Sequence, residues 1–230
     1  MRGEGVHLRE HVPILATQDV LFPNMLLPLH LRESDQLHII DRVLNTREEL
    51  GVLPQGTRSR RRTRVGPRRM GTLARVVRME RLPDRTVHIV LQGTQRFRLW
   101  ELHREDPYPE GTVEPLDDAP RNPLRAEALA SRVRELWDTY TRTMHDVIGI
   151  NMRPVTIPDS VRHLAYFVAA GLHVDAEELY TLLELTSVED ILAYEVALLN
   201  KELWILDFMG RTQAEENERR LGPTGFLSRN

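Results

Sequence analysis

The apolar positions of this chain change rhythm near residue 120. Before it they come in short runs broken by Gly, Pro, Asp and Asn, and after it they recur at helical spacing. Val12 to Leu15 reads as a short strand, followed by a turn at Phe22-Pro23-Asn24 with proline at a φ-restricted position. Met25 to Leu31 reads as a second strand, which Pro28 confines to an edge or a bulge. Ser34 is placed to cap a helix carrying Leu37, Ile40 and Leu44. Leu50 to Leu53 is a further strand. From Thr72 the pattern becomes a β-meander, with turns expected at Pro83-Asp84 and at Gln92-Gly93. Phe97 and Leu99 share a face, yet Trp100 and Leu102 are apolar too, a switch that predicts a bulge. Gly111 to Leu116 is the last strand. Six or so short strands and one helix in this length predict a small closed or nearly closed barrel.

The second half reads as four helices. The first runs from Pro123 to about Ile148, and the second from a cap at Asp159 through Ala170. Asp175 with Glu178, and Ser187 with Asp190, have the spacing of capping boxes and start the third and fourth. In the fourth, Leu192, Val196, Leu199, Leu203 and Leu206 form one apolar stripe, and Ile191, Tyr194, Leu198 and Ile205 a second. A helix apolar on two faces packs between others, which predicts a helical bundle. Residues from Arg211 onward read as a polar extension, with Gly222-Pro223 stopping any helix there.

Composition narrows the function classes. The 230 residues carry a net charge of -3, so the molecule as a whole is not built to hold nucleic acid. Cysteine is absent, which removes disulfide and thiolate chemistry and fits a reducing compartment. No signal peptide opens the chain and no run approaches a membrane span, so a cytoplasmic protein is expected. There is no phosphate-binding G-x-x-x-x-G-K-[ST] loop, no G-x-S-x-G elbow and no H-E-x-x-H pair. The histidines do not cluster, and His145-Asp146 point about 100° apart on a helix, so they form no dyad. No catalytic residue, metal site or cofactor is expected. Arg58, Arg60, Arg61, Arg62, Arg64, Arg68 and Arg69 fall in a stretch without an acid. The expected reading is a solvated connection between strands, with a loop for an anionic partner as the alternative. No aromatic is interleaved to stack on bases, so nucleic acid is not the expected partner.

Two segments resemble the N-terminal domain of the Lon protease family. "VPILATQDVLFPNMLLPLHL" is similar to its opening motif through Pro13, Ile14, Val20, Leu21, Phe22, Pro23, Pro28 and Leu29. "MGTLARVVRMERLPDRTVHIVLQGTQRFRL" is similar to a second through Gly71, Thr72, Ala74, Val76, Leu82, Pro83, Asp84, Thr86, Gly93 and Arg96. The helical half follows the family's length and rhythm, so the resemblance covers about residues 11 to 215. Ala16 departs from the opening motif's second proline, Arg85 from its hairpin glycine, and the arginine-rich stretch from its usual acidic or mixed loop. The family's ATPase module and Ser–Lys protease domain have no counterpart here, so neither activity carries over, and a stand-alone domain is the expectation.

The resemblance implies an α+β fold: an N-terminal PUA-like small β-barrel with one helix over 1–118, a helical bundle over 119–215 and a polar tail over 216–230. It implies a non-catalytic module that binds unfolded or tagged polypeptides, as a recognition unit or an adaptor to proteolysis; the alternatives are a PUA-like nucleic-acid-associated protein using the arginine-rich loop, or the N-terminal fragment of a full ATP-dependent protease. Its partners would be such polypeptides, a protease or chaperone, or a second copy of itself. Phe22, Pro23, Met25 and Met79 are the candidate binding residues on the barrel, and Trp204 and Phe208 on the last helix. Flexible methionine and exposed apolar groups suit binding without strict sequence readout, although all of these side chains also fit plain core packing.

Overall fold

The structure, a computed structural model, describes residues 7–32, 34–55, 68–83, 86–104, 107–150 and 156–221. It is a mixed α+β fold with one six-stranded sheet and five helices. In chain order the elements are β1 (Arg9–Thr17), β2 (Leu26–Leu31), α1 (Ser34–Thr46), β3 (Leu50–Pro54), β4 (Met70–Arg81), β5 (Val87–Arg104) and β6 (Pro109–Pro115). Then follow α2 (Pro123–Ile148), α3 (Val161–Gly171), α4 (Ala176–Glu184) and α5 (Val188–Leu221).

The strands lie in the order β2-β5-β4-β3-β1-β6, and β6 also pairs with β5, so the hydrogen bonding returns to its long central strand. Among the described strands only β1 and β3 run parallel; their connection passes through β2 and α1. Strand β5 is long enough to pair with β4 and with both β2 and β6, because two irregularities re-aim it. One lies between Leu99 and Glu101 and agrees with the apolar switch at Trp100. The other corrects an expectation. Gln92-Gly93 is not a turn, since β5 runs through it and skips Thr94 in its register with β4. The glycine serves a close backbone approach instead, as shown below. A third shift, around Val77, turns that side chain to solvent and breaks the simple alternation of β4. Asp84 of the expected hairpin turn lies outside the described residues.

The sheet encloses two apolar clusters. One joins Leu15, Leu27, Leu31, Leu50, Ile89 and Leu91 to Ile39, Ile40 and Val43 of α1. The other joins Val12, Ile14, Leu73, Phe97, Leu99 and Val113. A third cluster fills the helical half, where α2, α3 and α5 contact one another. Asn122 caps α2, accepting from the Arg125 N–H at 3.1 Å, and Gly149 closes the helix with a left-handed φ of 77°. Ser160, not Asp159, occupies the cap position of α3, and its side chain makes no capping bond. Asp175 and Ser187 do cap, accepting from the N–H of Glu178 and of Asp190 at 2.8 and 3.1 Å.

Candidate functional site

The motif at residues 21–25 determines how sheet and helices meet. Asn24 takes a left-handed φ of 64°, which asparagine tolerates. Its N–H donates to the Gly93 carbonyl at 2.8 Å, and the Gly93 N–H donates to the Met25 carbonyl at 2.9 Å. The Thr72 hydroxyl donates to the Leu21 carbonyl at 2.6 Å. This docking is so close that a Cβ on Gly93 would stand 2.3 Å from the Phe22 carbonyl oxygen. With its backbone held against the sheet, Phe22 turns its ring away from solvent. It is 1% exposed and joins the helical cluster, 6.3 Å from the Tyr166 ring. Of the two readings open for Phe22 and Pro23, surface binding and core packing, their burial supports the second: the turn lies on Gly93 rather than projecting from the sheet. Met25 and Met79 are half-buried, Met25 against both the sheet and the helical clusters and Met79 against α1's cluster.

Beside Phe22 lies a buried polar junction. Arg96 of β5 is fully buried and ion-paired with Asp118, its Nε donating at 3.1 Å. It also donates to the Leu183 carbonyl at the end of α4, at 2.9 Å. The Tyr166 hydroxyl of α3 donates to the other carboxylate oxygen of Asp118. Burial opposes the charge on Arg96, but Asp118 and Tyr166 outweigh it and its pKa stays raised. Burial pushes the Tyr166 phenol far up, so it remains a neutral donor. One guanidinium thus ties β5, the connector and two helices together. Sequence reasoning met Arg96 only as a motif match, since neither Asp118 nor Tyr166 is near it in the chain.

Arg68 and Arg69 end the arginine-rich stretch; Arg58, Arg60, Arg61, Arg62 and Arg64 lie outside the described residues. Arg68 is buried, pairs with Glu177 of α4 at 2.6 Å and lies 4.1 Å over the Tyr180 ring. The Tyr180 hydroxyl accepts the N–H of Arg69 at 3.1 Å. Arg68 therefore pins β4 to α4, whereas the Arg69 side chain is exposed.

Helix α5 presents the other feature. Leu192, Leu199 and Leu206 are buried, and the opposite side near its middle carries Trp204 and Phe208, 69% and 61% exposed. Their spacing of four places them on one face, where the rings stack 6.1 Å apart at 15°. Met209, 39% exposed, follows them. Between α2 and α5 runs a cleft of about 570 Å³ lined by Thr143, Val147, Leu203, Asp207 and Gly210. Gly210 brings the helices together there, since a Cβ would meet Val147 at 3.3 Å. An exposed stacked aromatic pair can hold apolar side chains without reading a sequence.

Elsewhere in α5, Glu195 is fully buried and neither carboxyl oxygen has a hydrogen-bond partner. Burial raises its pKa well above the usual carboxylate range; the nearby Ala169 backbone opposes this only in part and does not meet hydrogen-bond geometry. The signal was present in the sequence, because Glu195 falls on the apolar stripe between Leu192 and Leu199. Among the described residues no three His, Asp or Glu side chains gather as metal ligands, and no helix is long and apolar enough to cross a membrane.

Comparison with known proteins adds the family. The model of the ATP-dependent protease La (LON) substrate-binding domain matches residues 11–201. The Lon protease of Desulfosudis oleivorans is 27% identical over 221 residues, 94% of this chain and 27% of that protein. The chain spans about a quarter of the length of the curated relatives it matches. Among solved structures, the Lon N-terminal domain protein from Xanthomonas campestris aligns over 81% of this chain and 96% of its own, with a TM-score of 0.57. The N-terminal domain of the Mycobacterium avium complex Lon protease aligns over 82% and 97%, with a TM-score of 0.61. Both are 18% identical, so the likeness is one of fold.

Proposed function

From the premise that the chain belongs to the family of LON substrate-binding domains, we propose that it binds unfolded or tagged polypeptides, as a recognition module or an adaptor to proteolysis. The observation that carries this reading is the exposed Trp204–Phe208 stack on α5, flanked by Met209. Such a patch is costly to leave in water unless a partner covers it. Met25 and Met79 are half-buried, and a role for them at the surface is secondary. The matched family is a substrate-binding domain, so the reading assigns no catalytic step to these residues. The returning strand pairing supports a PUA-like barrel over 1–118, and the contacts among α2, α3 and α5 support a helical bundle over 119–215.

The test is fluorescence anisotropy of a labelled, permanently unfolded polypeptide across a salt series. Binding is expected to tolerate salt, and Trp204→Ala with Phe208→Ala to weaken it about tenfold or more. Unchanged binding by the double variant would sink the assignment. Loss of binding with rising salt would point to charge, and to the arginine-rich stretch, instead. Cytoplasmic residence and association with a protease or chaperone belong to the same proposal.

A further inference from the structure

Where sheet and helices meet, on the solvent side of the Arg96 junction, lies a polar cleft of about 360 Å³. Its sheet wall carries Asn24, Glu49, Arg75, Thr94 and Gln95, and its helix wall Arg162, His163 and Tyr166, with Asp117 and Asp118 on the connector. Most of the charge here is already spoken for. Glu49 is paired with Arg9 and Arg75, and Asp118 with Arg96 and Tyr166. What remains is asymmetric. Arg162 and His163, in the first turn of α3, have no hydrogen-bond or ion-pair partner among the described residues. On the connector, exposed Asp117 accepts only the Ala119 N–H among the described residues, at 3.1 Å, and has no ion-pair partner there. The Ser160 side chain leaves the first turn of α3 uncapped, which adds to the positive field on that wall.

Free donors on the helix wall and a free acceptor on the connector, lining one cleft, match a group that presents a carboxylate and an N–H a few bonds apart. The last residue of a polypeptide has both: its terminal carboxylate and its own backbone N–H. The geometry points to this cleft as a binding site for the C-terminal end of a peptide chain, with Arg162 and His163 on the carboxylate and Asp117 on the adjoining N–H. The volume suits one or two small residues. The inference rests on the polypeptide-binding reading but uses none of the aromatic residues on α5, so a probe without apolar side chains tests it separately.

The test is a chemical-shift titration of the full-length, 15N-labelled protein with N-acetyl-Gly-Ser-Ser as the free acid, the same tripeptide as its C-terminal amide, and sodium acetate. The free acid is expected to shift the amides of Arg162, His163, Thr94 and Gln95 saturably. The amide and acetate should each bind about tenfold more weakly, the loss expected for one charge-assisted hydrogen bond. Arg162→Ala, at an exposed residue without partners among the described residues, should fold as the parent does and lose the preference for the acid. Equal binding of acid and amide, acetate binding as tightly as the tripeptide, no shift with the acid, or an unaffected Arg162→Ala variant would each overturn the assignment. A tripeptide that binds while unfolded chains do not would separate this site from the α5 reading.

Discussion

Two single residues bear most clearly on stability. Gly93 has room for no Cβ, because the Phe22 carbonyl stands where that atom would go, and backbone on both sides is hydrogen-bonded in place. Gly93→Ala is therefore expected to cost about 1–3 kcal/mol, the usual range for overpacking a rigid site, measured by urea denaturation; an unchanged midpoint would show that the turn at 21–25 can lift off the sheet. Glu195 acts through protonation. Its folded-state pKa is raised by burial, so the folded chain holds a proton that the unfolded chain releases above about pH 4.3. Stability is then highest below that pH and falls as pH rises toward the folded pKa. Glu195→Gln keeps the shape and removes this slope, and Glu195→Leu should gain roughly 1–3 kcal/mol at neutral pH by removing a buried unpaired polar group. Denaturation curves at several pH values check both; a parent chain with the same pH profile as Glu195→Gln would mean that the carboxyl is not titrating from a buried state.

Individual elements show which local signals the chain obeys. The capping-box spacings at Asp175 and Ser187 became real caps, whereas Ser160 sits at a helix start without using its hydroxyl. Asp175→Ala is accordingly expected to cost about 1 kcal/mol and Ser160→Ala almost nothing, and thermal unfolding of the two variants compares them directly. The elements readable from sequence are those fixed by local chemistry: Pro123 opening α2, Gly149 closing it, and the apolar switch at Trp100 marking a bulge. The turn expected at Gly93 failed because the same glycine signal serves two ends. A tight turn needs its freedom, while a strand interior needs only its missing side chain, and the segment that requires the space is some seventy residues distant in sequence. Phe22 left surface and core both open for a related reason, since a turn residue next to proline can face either way until the surface beneath the turn is known. The aromatic pair on α5 was legible as a pair, but its exposure was not, because α5 is apolar on more than one face.

For the whole molecule the question is whether the sheet and the helices are separable. The expected boundary near residue 118 falls at Asp118, and that residue is half of the buried pair with Arg96. Phe22 and Met70 leave the sheet to join the helical cluster, and Arg68 pairs with α4. Breaking such a junction leaves a buried charge and an apolar hole on each face, so neither half is expected to persist once the other unfolds. The tryptophans allow a test, as Trp100 lies in β5 and Trp137 and Trp204 in the helices. In a Trp137→Phe, Trp204→Phe variant, the fluorescence of Trp100 follows the sheet, while circular dichroism at 222 nm is dominated by the helices. The two urea transitions should coincide. Arg96→Leu should move both together to lower urea by about 3–5 kcal/mol of stability, because it strands Asp118, whereas Arg96→Leu with Asp118→Leu should recover part of that loss. Two separated transitions in the unsubstituted junction would show instead that sheet and helices are independent units joined by a connector, and that the cleft between them opens without unfolding either one.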